Sequence, residues 1–180
     1  YTQLMLKQGL GEEQVDDLKI IEKHVQNCKT VVSDLLSFSR KGSSPMGIVD
    51  INSVVDGVII FLSKNSDFRN VEMELGTDVG AQLNIIGNEQ ELSQGIVNLI
   101  INAGHAVDGK GKIDIITRRL EQKKIMVSVK DNGKGIDKKD LPKIFDPFFT
   151  TKPVGQGTGL GLSVGYGIIK HHQGDITVKS

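Results

Sequence analysis

The spacing of apolar residues changes along the chain, and each change predicts an element. From about Glu12 to Arg40, Leu18, Ile21, Val25, Cys28, Val32 and Leu35 recur in alternating steps of three and four. That is the a/d seam of a helix built to pack on other helices. Val31, Leu36 and Phe38 widen the stripe, which suits a four-helix bundle better than a two-stranded coil. One helix with the stub at 1–8 cannot cover such a stripe, so the pattern predicts a homodimer through this helix. KGSSPMG at 41–47 then reads as a hinge-like linker. Beyond it the pattern predicts a strand at 48–51, a helix at 52–63 with Asn52 near its start, and strands at 71–75 and 81–86. A long helix at 88–107 follows, then strands at 112–119 and 124–130 as a hairpin-like pair. A short turn at 139–144, a helix at 160–172 and a strand at 175–179 complete the reading. Strands and helices without strict alternation predict an α+β fold, a mixed sheet with helices on one face.

The helix at 88–107 carries two patterns at once. Leu92, Ile96, Leu99, Ala103 and Val107 mark a core face. Gln94, Asn98 and Asn102 fall four apart on another face, and His105 follows three later. Asn88 with Glu91 three residues on is a capping-box-like start. Asparagine is a mediocre helix former, so two of them among Ile, Val and Leu call for a reason. One reason is a polar rim. The other is a ligand: a side-chain amide oxygen suits Mg²⁺, which takes few protein groups and relies on substrate phosphates.

Residues 131–161 concentrate the remaining chemistry. They read DNGKGI at 131–136, IFDPFFTTK at 144–152 and GQGTGLGL at 155–162. An ionised Asp131 only accepts hydrogen bonds, which suits the exocyclic amine of adenine. Gly133 and Gly135 let the backbone turn sharply beside a flat base. Gly155, Gly157, Gly159 and Gly161 alternate with other residues and lead into a helix. Such a turn aims free N–H groups at anions, and the helix dipole adds to the attraction. No G-x-x-x-x-G-K-[ST] occurs, so this is not a P-loop. A lone glycine run is equally a surface loop; the polar helix upstream is what favours a phosphate site.

Composition narrows the classes. Lys plus Arg and Asp plus Glu are 22 each in 180 residues. That balance gives no electrostatic case for nucleic acid. One Cys and no Trp leave no disulfide framework and suit a reducing compartment, the cytoplasm. No apolar run approaches the roughly 18 residues of a membrane span, so a membrane would be reached only through regions not in this chain.

Together the four motifs resemble the N, G1, F and G2 boxes of sensor histidine kinases, in family order and spacing. The resemblance covers about 48–180 as the ATP-binding catalytic domain, after a linker at 43–47. Residues 1–42 resemble part of the dimerisation and phosphotransfer domain. FDPFFTTK and the glycine run look most like the nitrogen-regulation branch. The implied fold is a Bergerat-type ATP-binding α/β sandwich preceded by a long helix of a dimeric bundle. The implied cofactors are ATP and Mg²⁺, and the implied partner is a response-regulator receiver domain.

The resemblance assigns roles. Asn102 would supply an amide oxygen to Mg²⁺, and Asn98 would help hold the phosphates. Asp131 would read adenine, with Gly133, Gly135 and Ile136 shaping its turn. Gly157, Thr158, Gly159, Leu160 and Gly161 would form the phosphate turn. Phe145, Phe148 and Phe149 would anchor a lid, with Thr151 and Lys152 near the phosphates. Many relatives have Lys or Arg where His105 stands, which leaves its role between a phosphate contact and a polar cap. Related gyrase-type ATPases carry a Glu where this chain has Asn98. An amide cannot take a proton from water, whereas a neutral imidazole attacks phosphorus unaided. Asn98 thus favours histidine phosphorylation over ATP hydrolysis or serine phosphorylation. The family's acceptor pattern, like H-E-x-x-P, is absent. His24, His105, His171 and His172 lack it, so the chain is expected to begin after the acceptor. An ATP-driven clamp, a dimerisation module with a decayed pocket and a protein-serine kinase remain the competing readings.

Overall fold

A computed structural model describes residues 5, 11, 14–22, 24–25, 28, 32, 45–77, 82–121, 124–153 and 157–180. Residues 14–22 are helical. Of the predicted seam, Ile21, Val25 and Val32 are about half exposed or more and Cys28 is exposed in the single chain, whereas Leu18 is half-buried. Val31, Leu35, Leu36 and Phe38 lie outside the described residues, as do 41–44 of the linker.

The remaining elements run β1 (Gly47–Asp50), α1 (Ile51–Ser63), a 3-10 turn (Ser66–Phe68), β2 (Asn70–Thr77) and β3 (Asn84–Gly87). After these come α2 (Glu89–Ala106), β4 (Lys110–Arg119), β5 (Ile125–Asp131), a 3-10 turn (Leu141–Lys143) and α3 (Gly161–His171). β2 lies parallel to β4, and β4 pairs antiparallel with β5. The sheet is therefore mixed. The β4–β5 pair is the expected hairpin, whereas β2 and β4 run parallel because β3 and α2 form the crossover between them. β1 and β3 make a separate antiparallel ribbon.

Helix α1 is started by Asp50, whose carboxylate accepts from Asn52 N–H at 3.2 Å and the Ser53 hydroxyl at 3.0 Å. That is an N-cap. The Asn52 side chain points the other way, where its Oδ1 accepts from the fully buried Thr117 hydroxyl at 2.7 Å. The pair satisfies a polar group that burial would otherwise penalise. Alternation on β4 turns Ile113, Ile115 and Thr117 into the core and leaves Ile116 outward. Val54, Val55, Val58 and Leu62 of α1 and Leu92, Ile96, Ile100 and Ala103 of α2 close over that face. Each such buried Val, Leu or Ile side chain contributes about 1.5–3 kcal/mol.

Three details differ from the sequence reading. Ile100 is fully buried and Leu99 only partly, because α2 packs on the sheet and on α3 at once. The start of α2 is half of a capping box: Asn88 Oδ1 accepts from Gln90 and Glu91 N–H. Glu91 does not return to Asn88 N–H, which donates instead to His172 Nε2 at 2.9 Å. Finally, the strand predicted at 175–179 does not form. Residues 174–180 carry no strand ladder and are held by side chains, Asp175 to Lys170 and the Ser180 hydroxyl to Ile136 N–H.

Candidate functional site

The last turns of α2 gather the motifs. Asn98 and Asn102 are half-buried and His105 sits at an exposed rim. Asn98 Nδ2 donates to the Gly161 carbonyl at 3.0 Å. A Cβ built at Gly161 would meet Asn102 Nδ2 at 3.7 Å and Asn98 at 3.8 Å. The first residue of α3 therefore lies directly on both asparagines. Leu160, 2 % exposed, anchors that junction together with Val164 and Ile168. Thr158 Oγ1 accepts from Leu160 N–H at 3.2 Å and fixes the turn into the helix.

The loop after β5 reaches the same end of α2. Asp131 is half-buried, and its Oδ1 accepts from Gly133 N–H at 2.9 Å. This Asx turn folds the chain onto α2. A Cβ at Gly133 would lie 2.4 Å from the carbonyl carbon and oxygen of Ala106, so no side chain fits there. Lys134 N–H donates to the Ala106 carbonyl at 3.1 Å, which satisfies one of the open acceptors at the helix end. Gly135 takes φ +73°, a conformation that costs glycine little. Ile136 is 37 % exposed beside the tail.

Residues 144–153 and 157–159 border the rim. Ile144 is buried, and the Phe145 ring lies 5.2 Å from that of Tyr166 on α3. Phe149 is half-buried, whereas the Phe148 side chain is 64 % exposed. Phe148 acts here through its backbone, at φ +68°, donating N–H to the Gly159 carbonyl at 3.0 Å. Gly159 is at φ +67°, and a Cβ there would come within 2.4 Å of the Phe148 carbonyl carbon. Sharp turn and close approach both require glycine. Thr151 is exposed. Lys152 Nζ reaches His105 Nδ1 at 2.7 Å. Its stem packs by Gly157, where a Cβ would meet Lys152 Cδ at 3.0 Å. Gly155 lies outside the described residues.

Charge in this corner is one-sided. Burial, then the nearby Lys134 ammonium, holds Lys152 below the usual lysine range. Burial, then Lys152, holds His105 below the usual imidazole range, with Asp67 opposing. An ammonium can only donate, so its bond to Nδ1 requires the neutral ring there. Two ammonium groups bear on this corner, Lys152 on the His105 imidazole and Lys134 on Lys152, with Asp67 the opposing carboxylate at His105, an arrangement that suits a polyanion.

Among the described residues, the one cluster of three metal-binding His, Cys, Asp or Glu side chains is Glu91, His171 and His172 at the opposite end of α2. The rim has no such cage among the described residues. The Asn102 amide, half-buried beside Gly161, is the donor type that fits a Mg²⁺ ion carried mainly by phosphates. The Glu91 cluster has structural work. His172 Nδ1 bonds the Ile168 carbonyl at 2.8 Å while Nε2 accepts from Asn88, and His171 Nδ1 lies 2.8 Å from Glu91 Oε2. The sequence reading of His172 as a helix end misses this long-range bond, which nothing local in the sequence signals. A shallow apolar groove of about 260 Å³ between α1 and α2, lined by Val54, Val58, Phe61 and Val97 among others, collects none of the candidate residues.

Residues 87–180 match the family model of histidine kinase-, DNA gyrase B-, and HSP90-like ATPases. The chain is 35 % identical over 181 residues to the signal transduction histidine-protein kinase AtoS of Escherichia coli (strain K12), covering 100 % of this chain and 29 % of AtoS. It thus spans less than a third of that relative's length. The catalytic domain of histidine kinase ThkA, in a nucleotide-free form, superposes with TM-score 0.64 at 32 % identity, covering 72 % of this chain and 82 % of that one. ThkA in complex with the response regulator TrrA gives TM-score 0.74 at 26 % identity, over 95 % of this chain and 49 % of that one.

Proposed function

The chain belongs to the family of histidine kinase-, DNA gyrase B-, and HSP90-like ATPases, and on that footing we propose that it is the ATP-binding catalytic part of a two-component protein histidine kinase. It binds Mg-ATP at the C-terminal end of α2 and directs the terminal phosphate to a histidine on a dimerisation domain. The phosphoryl group then passes to an aspartate of a response-regulator receiver domain. Residues 48–180 form the catalytic unit, 43–47 a hinge, and 1–42 a helical part of the dimer interface. The complex of ThkA with a response regulator supports this choice of partner.

One observation carries the reading. The Asp131 loop, the Gly161 turn and the lid lysine all close on the last turns of α2. Asp131 Oδ1 is held by Gly133 N–H, which leaves Oδ2 to accept from the adenine amine. Asn102 would hold Mg²⁺, which neutralises charge on the phosphates when bound. Asn98 clamps Gly161 and so sets the turn at 157–161 that presents N–H groups to the phosphates. Lys152 moves from His105 to phosphate. The chain's contribution is positioning and charge neutralisation, with no covalent step on the enzyme.

The test is incubation with labelled ATP, with and without an acceptor-bearing helical domain. Acid-labile label on the acceptor, and none on this chain alone, is expected. Rapid ATP turnover without an acceptor would point to the ATPase clamp, and acid-stable label to a serine kinase.

A further inference from the structure

The contact between Lys152 and His105 joins the lid to α2. Resting on the nucleotide reading above, we propose that His105 takes up a proton when a triphosphate enters, which links nucleotide binding to pH. Free of nucleotide, the neutral ring offers its Nδ1 lone pair to the Lys152 ammonium at 2.7 Å and latches the lid onto α2. An incoming triphosphate is the stronger acceptor and draws Lys152 away. Nδ1 is then uncovered beside several negative charges, and a proton from solvent settles on it. His105 becomes a third cation on the phosphates, next to Lys152 and Lys134.

Three features support this. His105 lies at an exposed rim, so the proton has a path from bulk water. The titratable groups acting on it are Lys152 from the lid and Asp67 from the turn after α1, with Lys134 acting on Lys152. Burial and Lys152 favour the neutral ring in the latched state, and moving the Lys152 ammonium off Nδ1 while phosphate oxygens approach it favours the protonated ring. The arrangement also gives the imidazole its own part to play at a position where a lysine would be a fixed cation.

Binding coupled to proton uptake strengthens as pH falls, by at most about tenfold per pH unit for one proton. The experiment is calorimetric titration of Mg-ATP into the full chain at pH 7 in PIPES and in Tris, whose ionisation enthalpies differ widely. The expected heats differ between buffers in the sense of uptake of up to one proton, and affinity rises from pH 8 to 6.5. His105→Gln binds more weakly and loses the buffer dependence. His105→Lys binds with no uptake. Equal heats in the two buffers for the unmodified chain, or an unchanged buffer dependence in His105→Gln, would overturn the proton linkage and leave the nucleotide site standing. Absence of Mg-ATP binding at every pH would remove the nucleotide reading and this inference with it.

Discussion

The two ends of α2 solve opposite problems with the same residue type. At the N-terminal end, the His172 side chain is 4 % exposed and both its nitrogens are matched, one to the Ile168 carbonyl and one to Asn88 N–H. Glu91 and His171 add an acid and an imidazole of complementary character. At the C-terminal end, His105 faces a lysine at the rim, with a second lysine near. One end closes its own hydrogen bonds and holds α3 to α2. The other leaves two lysines beside an imidazole, a grouping that an anion would relieve. On the proposed reading, the difference separates residues that hold the fold from residues that serve a ligand.

The contrast is strained most by removing the middle that both ends share. Ile100→Ala deletes a fully buried side chain and is expected to cost about 2–5 kcal/mol in urea unfolding, with nucleotide binding weakened as a by-product. At the open end, Asp131→Ala is expected to lower Mg-ATP affinity by about 1.5–3 kcal/mol, the value of a hydrogen bond to a charged group. Losing the acceptor for Gly133 N–H is expected to lower stability by about 0.5–1.5 kcal/mol as well. At the closed end, His172→Ala strands Asn88 N–H and is expected to lower stability by about 1–3 kcal/mol. The matching change His105→Ala should stay within about 0.5 kcal/mol, while altering nucleotide titrations. If both histidine variants lose stability alike, the contrast fails.

Smaller effects refine it. Asn88→Ala removes the acceptor for two helix N–H groups and is expected to cost about 1 kcal/mol. The pH dependence at the open end has a defined sign. His105 is held below its usual range in the fold, so the unfolded chain binds the extra proton first. Nucleotide-free stability should therefore fall as pH drops from about 7 through the folded-state value, and the part due to His105 should vanish in His105→Gln. Thermal melts across pH 5 to 8 read this out.

Much of this architecture is legible in the sequence, and the failures have physical causes. Period 3.6 in α2 and period 2 in β4 come from one-sided burial, so they survive as sequence patterns. The motif glycines are legible because Gly133 and Gly159 tolerate no Cβ where they touch Ala106 and Phe148. Three things are hidden. Leu99 and Ile100 exchange roles because a helix packed on two surfaces has a wider apolar arc than one face predicts. Ile176 and Val178 alternate as a strand does, but pairing needs a partner edge, which local sequence does not encode. The Asn88–His172 bond joins residues far apart in the chain, so no spacing rule reveals it. The Lys152–His105 contact is equally long-range, and no spacing rule reveals it either.

If the open end of α2 is kept for a ligand, then it, the Asp131 loop and the Gly157–Gly161 turn form one Mg-ATP site. The decisive measurement is a crystal structure of the chain with a non-hydrolysable ATP analogue and Mg²⁺. Adenine hydrogen-bonded to Asp131, with the phosphates between Asn102, Lys152 and the Gly157–Gly161 backbone, is the expected result. Nucleotide bound elsewhere, with Asp131 and Asn102 both free of it, would refute the assignment.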